Sequence, residues 1–306
     1  MTYTTTDLIA AIKRDASIPT SQSRFSNADF LAFLNEELTL TMVGELLSMK
    51  QDYYITTSDA TLVAGTSAYN IPVTAIGWKV DSVGYVDSSG NYIKLDKITR
   101  DQLGNYEQIA SSSTPRAFYV RGNSIVTVPD IGSSTSGSLR FDMVRIQNEL
   151  VLLGDTGLIS TVADTGTDYT IVVDTAPVAT GALVDVVSGT NPYNIIARGV
   201  TAAVAGTTVT ITYGSDFDRA PVAGDYVCAD GQTPVPNIPE DFHPILAQAA
   251  VIRCLIAKND VKGIQTASVA LSNSFDRMRS RSKNRVNDAP TKLVANNYVL
   301  NLMRGY

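Results

Sequence analysis

Histidine, cysteine and tryptophan are almost missing from this chain of 306 residues, which holds one His, two Cys and one Trp. A zinc site needs three or four converging thiolates or imidazoles, and His243, Cys228 and Cys254 are the whole supply. The cysteines also stand far apart in no metal-like spacing. Neither a disulfide framework nor a thiolate cluster is expected, and a reducing compartment is the default. Long apolar runs are lacking too. None approaches the ~20 residues that cross a bilayer, and Met1-Thr2-Tyr3-Thr4-Thr5-Thr6 has neither the basic nor the apolar region of a signal peptide. A soluble product made inside a cell, without membrane contact, is the expectation. Wholesale disorder is excluded, since 44% of the residues are hydrophobic and 18% charged.

The motifs of nucleotide and nucleophile chemistry are lacking as well. No GxxxxGK[ST] loop, no GxGxxG after a strand and no GxSxG elbow occurs. His243 stands beside Pro244 at a helix start, where a structural role explains it more cheaply than a catalytic one. Asp164-Thr165-Gly166-Thr167-Asp168 and Asp216-Phe217-Asp218 could bring oxygens near a hard cation, yet neither fits an EF-hand loop, and Asp and Gly are ordinary β-turn residues. Glu36 and Glu37 are adjacent on a helix and point different ways. A protein that is not an enzyme, with no catalytic, metal or cofactor-binding residues, is therefore expected.

What the chain does have is two kinds of periodicity. Thr4-Thr5-Thr6-Asp7 and Ser26-Asn27-Ala28-Asp29 have the spacing of capping boxes. The first opens a short helix with Leu8, Ile9 and Ile12 on one face; the second opens a longer one in which Leu31, Leu34, Leu38, Met42, Leu46 and Met49 recur at three or four. From Gln51 the pattern changes to short β runs at 52–57, 60–64, 68–72, 79–86, 92–96, 117–121, 124–128 and 138–146. Spacing this regular reads as an antiparallel sandwich or barrel. A turn is expected at Ser58-Asp59 and a hairpin at Asp87-Ser88-Ser89-Gly90-Asn91. Further strands are expected at 158–162, 169–173, 183–187, 208–213 and 226–229. Helical spacing returns at Asn237-Ile238-Pro239-Glu240-Asp241, with Pro in the first turn and then a face of Leu246, Ala249, Ala250, Arg253, Cys254 and Ala257. Asp260 caps a second helix striped by Ile264, Ala267, Leu271, Phe275 and Met278.

The fold class is α+β: a helical bundle formed by both chain ends, an antiparallel β domain between them, and a second inserted β module. The expected division is 1–50 with 236–284 for the bundle, 51–150 for the β domain, 151–235 for the inserted module and 285–306 for an extended C-terminal docking tail. Charge follows this division. The net charge is -6, and residues 151–235 carry nine acidic groups against Arg198 and Arg219. From Arg277 onward, Arg277, Arg279, Arg281, Lys283, Arg285, Lys292 and Arg304 stand against Asp288 alone. A solvated helix end whose cations complement the dipole explains part of this. Ala289-Pro290 then ends any helix, and Leu293, Val294, Tyr298, Val299, Leu300, Leu302, Met303 and Tyr306 load a terminus with apolar groups. Termini without a docking surface are usually polar, so this tail calls for a surface on another chain. The arginines could also neutralise phosphates, but no interleaved aromatics offer stacking, which leaves weak, sequence-independent contact with DNA.

Several stretches taken together resemble the portal-docked head-to-tail adaptor, or connector, proteins of tailed bacteriophages. They are Pro19-Thr20-Ser21-Gln22, Phe25-Ser26-Asn27-Ala28-Asp29-Phe30-Leu31, Asn35-Glu36-Glu37-Leu38, Tyr69-Asn70-Ile71-Pro72, Val86-Asp87-Ser88-Ser89-Gly90, Phe118-Tyr119 and Val128-Pro129-Asp130. Later come Gly224-Asp225-Tyr226-Val227, Val235-Pro236-Asn237-Ile238-Pro239-Glu240 and Asn284-Arg285-Val286. The resemblance implies a homo-oligomeric ring, commonly a dodecamer, at the head–tail junction of a virion, made in the host cytoplasm. Such a ring closes the packaged head and leaves a lumen for DNA. The resemblance also implies portal docking by the tail, with Leu293, Val294, Tyr298, Val299, Leu300 and Tyr306 as apolar anchors and Arg285, Lys292 and Arg304 as charged contacts. Arg277, Arg279, Arg281 and Lys283 form a basic cluster for portal or DNA. Partners would be the portal protein, neighbouring copies, a downstream tail or nozzle protein and, transiently, genomic DNA. The inserted module departs from the smallest adaptors. Two other readings stand beside this one: a DNA-binding protein using the basic helix end, and a carbohydrate-binding or hydrolytic β domain in 151–235.

Overall fold

The computed structural model describes residues 3–19, 24–49, 54–104, 114–129, 131, 136–190, 194–212 and 217–282. Both expected capping boxes form. The Thr4 hydroxyl accepts from the Asp7 N–H while the Asp7 carboxylate accepts from the Thr4 N–H, opening helix α1 (Thr5–Asp15). Ser26 and Asp29 do the same for α2 (Asn27–Glu37). Each box satisfies two amides that would otherwise lack a partner. Helix α2 runs through a single π turn, Leu38–Met42, into α3 (Val43–Met49). The spacing explains the π turn. Phe30, Leu34, Leu38, Met42 and Leu46 are buried at every fourth position. That repeat outruns a 3.6-residue turn by about 40° per step, and the wider π turn takes up the surplus. Phe30 heads the stripe in place of the expected Leu31, which is half-buried.

Eight strands follow: β1 (Ile55–Thr61), β2 (Ala68–Asn70), β3 (Ala75–Val86), β4 (Tyr92–Lys94), β5 (Asp96–Lys97), β6 (Ala117–Arg121), β7 (Ser124–Val128) and β8 (Ser138–Arg145). They make two four-stranded sheets, in orders β1-β8-β3-β4 and β2-β7-β6-β5, which share a core that includes Tyr69, Val83, Phe118, Ile125, Leu139 and Phe141. The hairpin at Asp87 forms as expected, with Gly90 at φ 83° and the Asp87 carboxylate accepting from the Ser89 and Asn91 amides. Ser58-Asp59 is not a turn. Strand β1 runs straight through it, because the Arg140 guanidinium donates to both Asp59 carboxylate oxygens at 2.8 and 2.7 Å. This cross-strand pair overrides the poor strand propensity of Asp. Strand β3 bulges between Ala75 and Val80. Gly77 and Trp78 take positive φ there, and Trp78 is left 48% exposed.

Strand β9 (Glu149–Leu150) leads into β10 (Gly157–Asp164), β11 (Asp168–Val173), β12 (Leu183–Val187), β13 (Ile195–Ala205), β14 (Thr208–Thr212) and β15 (Tyr226–Ala229), which close into a barrel in the order β10-β11-β14-β13-β12-β15. Ile159, Ile171, Val184, Val186, Val209 and Ile211 fill it. Strand β13 is absent from the expected set. It is rich in Ala, and Gly199 at φ 54° interrupts it, so its pattern carries little β signal. Strand β16 (Gln232–Thr233) then pairs in parallel with β9.

The helix expected to begin at Pro239 begins later. Glu240–Phe242 form a 3-10 turn, and Pro244 lies in the first turn of α4 (His243–Lys258), where its missing N–H costs nothing. Leu246, Ala249, Ala250 and Cys254 of α4 are buried in one cluster with Leu8 and Ile12 of α1 and Phe30 and Leu34 of α2. The remaining members of the expected face lie at its margin, since Ala257 is exposed and Arg253 pairs with Glu37. Asp260 accepts from the Gly263 N–H at 3.0 Å and caps α5 (Val261–Ser282), whose Phe275 and Met278 are buried and whose Ile264, Ala267 and Leu271 pack on the same cluster. Asn35 of α2 donates to the Leu150 carbonyl and accepts from its N–H, at 3.0 and 2.8 Å, joining the helices to β9. Among the described residues no helix is long and apolar enough to cross a membrane.

Candidate interaction surfaces

The basic end of α5 is not one patch. Arg279 forks onto Glu45 of α3, with Nη2 at 2.7 and 2.8 Å from the two carboxylate oxygens and Nε at 3.1 Å, and reaches Asp276 at 3.5 Å. The hydrogen bond and the charge of Glu45 raise the Arg279 pKa. Arg277 and Arg281, four apart and so on one helical face, line a shallow depression with Asn273, Asp276 and Ser280. Neither joins an ion pair among the described residues. Lys283 and the expected docking residues Arg285, Lys292, Leu293, Val294, Tyr298, Val299, Leu300, Arg304 and Tyr306 lie outside the described residues.

Two arginines that the sequence reading did not single out as site residues meet elsewhere. Where β1, the end of β8 and the barrel come together, a cleft of about 720 Å³ is lined by Tyr54, Thr56, Thr57, Arg145, Arg198 and Asp218, among others. Arg198 donates to Asn148 Oδ1 at 3.2 Å, and Asn148 Nδ2 donates to Asp185 Oδ2 at 2.6 Å. Asp185 is fully buried and also accepts from the Gly199 and Gly231 amides at 2.8 and 3.1 Å. Burial raises its carboxyl pKa in spite of these donors. Burial first, and then the like charge of Arg145, bring the Arg198 guanidinium down to about 10. No ion pair among the described residues engages Arg145 or Arg198. At the barrel's end the opposite holds. Arg219 forks onto buried Asp225 at 2.8 and 2.9 Å, which accepts from the Gly189 and Val222 amides as well.

The residues of potential chemistry are placed structurally. His243 is buried, and its Nε2 bonds to the Ile238 carbonyl at 3.1 Å. Burial lowers its pKa against the opposing pull of that carbonyl. Cys228 and Cys254 are buried free thiols whose pKa values burial raises, the reverse of what a nucleophile requires. Asp164 accepts from the Gly166 amide at 2.8 Å, as a turn residue does. Among the described residues no group of three or more His, Cys, Asp or Glu side chains is placed to hold a metal ion.

With helices, sandwich and barrel in place, a family model described as SU10 adaptor protein matches residues 1–294. The chain belongs to the SU10 adaptor protein family. Membership agrees with the resemblance to phage head-to-tail adaptors. The matched stretch of this SU10 adaptor family member includes Arg285, Lys292, Leu293 and Val294 and stops before Tyr298, Val299, Leu300, Arg304 and Tyr306. No curated protein matches the chain.

Proposed function

We propose that this chain is a virion structural protein that forms a ring adaptor between portal and tail at the head–tail junction of a phage. The ring closes the packaged head, leaves a lumen for DNA and performs no catalysis. The family match over residues 1–294 carries this reading. On it, chain ends 1–50 and 236–284 make one helical bundle bearing the β domain 51–150 and the acidic module 151–235. The apolar cluster shared by α1, α2 and α4 supports that division. Residues 285–306 dock on the portal. Leu293, Val294, Tyr298, Val299, Leu300 and Tyr306 are the anchors and Arg285, Lys292 and Arg304 the charged contacts, a composition typical of the groups that dominate interfaces. Neighbouring copies meet through a heterologous interface that rotation closes into a ring. A downstream tail protein binds the ring's other side, and genomic DNA touches it transiently.

Mass photometry of the cognate portal mixed with the full chain, or with the chain truncated after Lys283, tests this. Rings are expected on the portal with the full chain alone. Association of neither form would overturn the reading, and equal association of both would remove the tail from it. The competing DNA-binding reading relies on Arg277, Arg279 and Arg281, and the Arg279–Glu45 pair already engages one of these cations. Its signature would be duplex affinity that falls steeply with salt.

A further inference from the structure

Among the described residues, strand β1 leaves one edge of its sheet open. The Tyr54 carbonyl accepts from the Arg145 N–H, and the Leu62 N–H donates to the Gly137 carbonyl, both at 3.1 Å. Even-numbered residues therefore face β8 at both ends of the strand, and the register between them is unbroken. Ile55, Thr57, Asp59 and Thr61 consequently turn their N–H and C=O groups the other way. Among the described residues, β1 pairs with β8 alone. Natural sheets usually blunt such an edge with Lys, Pro or a bulge. Ile55–Thr61 has none of these, and its one charge, Asp59, is matched by Arg140.

The start of this edge is also a wall of the cleft that holds Arg145 and Arg198. Among the described residues, two guanidiniums that join no ion pair, though Arg198 feels the charge of Asp185, Asp218 and Asp230, thus stand next to a row of backbone groups that no strand pairs. We propose that edge and cleft together bind an extended acidic segment of a separate polypeptide, which adds a strand to β1 and seats a carboxylate on Arg145 and Arg198. Backbone pairing supplies affinity with little sequence demand, and one charged side chain fixes the register. A guanidinium receives a carboxylate through two parallel hydrogen bonds. DNA fits less well, because two cations neutralise few phosphates. A neighbouring copy's tail fits less well too, since residues 283–306 carry four basic groups against Asp288. Neither edge nor cleft relies on the adaptor reading.

The test is fluorescence anisotropy with the full chain and a labelled heptapeptide, Thr-Val-Thr-Glu-Thr-Val-Thr. Its Gln counterpart and a version N-methylated at alternate residues serve as comparisons. The Glu peptide is expected to bind, the Gln peptide about ten-fold more weakly, and the N-methylated peptide not at all. Arg145→Gln should abolish the preference for Glu over Gln. Thr57→Pro removes an outward N–H while sparing every bond to β8. It should weaken binding about ten-fold with little change in Tm. Should that variant fail to fold, the N-methylated peptide still probes the edge. Absence of binding by the Glu peptide, equal binding of the N-methylated one, or indifference to Arg145→Gln overturns the proposal. Two other outcomes also overturn it. Duplex binding lost in Arg145→Gln, without peptide binding, reassigns the cleft to phosphate; self-association lost in Thr57→Pro, without peptide binding, reassigns the edge to a second copy.

Discussion

The two β regions treat their hydrogen-bonding edges in opposite ways. Among the described residues, β15 returns to β10 in the barrel and every strand has two neighbours; in the sandwich, β1, β4, β2 and β5 each have one. Their pairings differ in range as well. The barrel closes within residues 157–229, whereas β1 finds its partner β8 far along the chain, with the Asp59–Arg140 bond spanning 81 positions. Closure abolishes edges, and long-range pairing carries a larger loop-closure cost. The barrel is therefore saturated and local, and the sandwich keeps pairing capacity that a partner can use.

Core truncation tests that contrast most strongly. Phe141, 1% exposed in the sandwich core, should cost about 3–5 kcal/mol on replacement by Ala. Urea melts should show 55–145 unfolding first. Ile211→Ala, deep in the barrel, should cost about 2–5 kcal/mol and speed hydrogen exchange within 157–229 first. If Ile211→Ala opens the sandwich in the same step, the barrel is not an independent unit and the comparison breaks.

Asp185 comes next, because its carboxylate binds Asn148, Gly199 and Gly231 at the foot of the barrel. Asp185→Ala leaves those donors without their acceptor and should cost about 1–3 kcal/mol in denaturant melts. The Asn variant should lose less, with a characteristic pH trend. Burial raises the folded carboxyl pKa above 3.8, so this group favours folding at low pH and loses that contribution as pH rises through its folded value. The deficit of Asp185→Asn relative to the natural chain should therefore shrink from pH 4 to pH 7.

His243 separates the helical cluster from both β regions. Its folded pKa lies below 6.5, so the unfolded chain binds the proton more tightly. The stability from its neutral, buried form is complete above 6.5 and is lost as pH falls below that value, with a slope of at most about 1.4 kcal/mol per pH unit. Thermal melts from pH 8 to pH 5 should show this slope in the natural chain and its loss in His243→Gln. As this is the chain's one histidine, a surviving slope would assign the proton to a group other than an imidazole.

Local chemistry was legible in the sequence, and distant partners were not. The capping boxes at Thr4 and Ser26, the Gly90 hairpin and the Asp260 cap each involve residues a few positions apart, and all formed as read. The α+β class with antiparallel strands followed from hydrophobic period. Strand β13 escaped because Ala and Gly carry little β signal, and β1 was cut at Ser58-Asp59 because nothing near Asp59 announces Arg140. The basic end of α5 read as one cluster because Glu45, which engages Arg279, lies 234 positions earlier. Arg145 and Arg198 come from different β regions, and no spacing rule could join them.

The smallest expected energy concerns Asp59. Its carboxylate and the Arg140 guanidinium are 43% and 36% exposed, so solvent screens the pair and Asp59→Thr should change stability by less than about 1 kcal/mol. Its effect on association should be disproportionate. Thr restores strand propensity and removes the one charge from an edge whose N–H and C=O groups already face outward. Sedimentation velocity should then show concentration-dependent self-association of Asp59→Thr. Asp168→Thr, at the start of β11 in the barrel, should show none, because both sides of that strand are already paired. Equal behaviour of the two variants would mean that edge closure does not distinguish the regions, and it would leave β1 with no more binding capacity than the barrel.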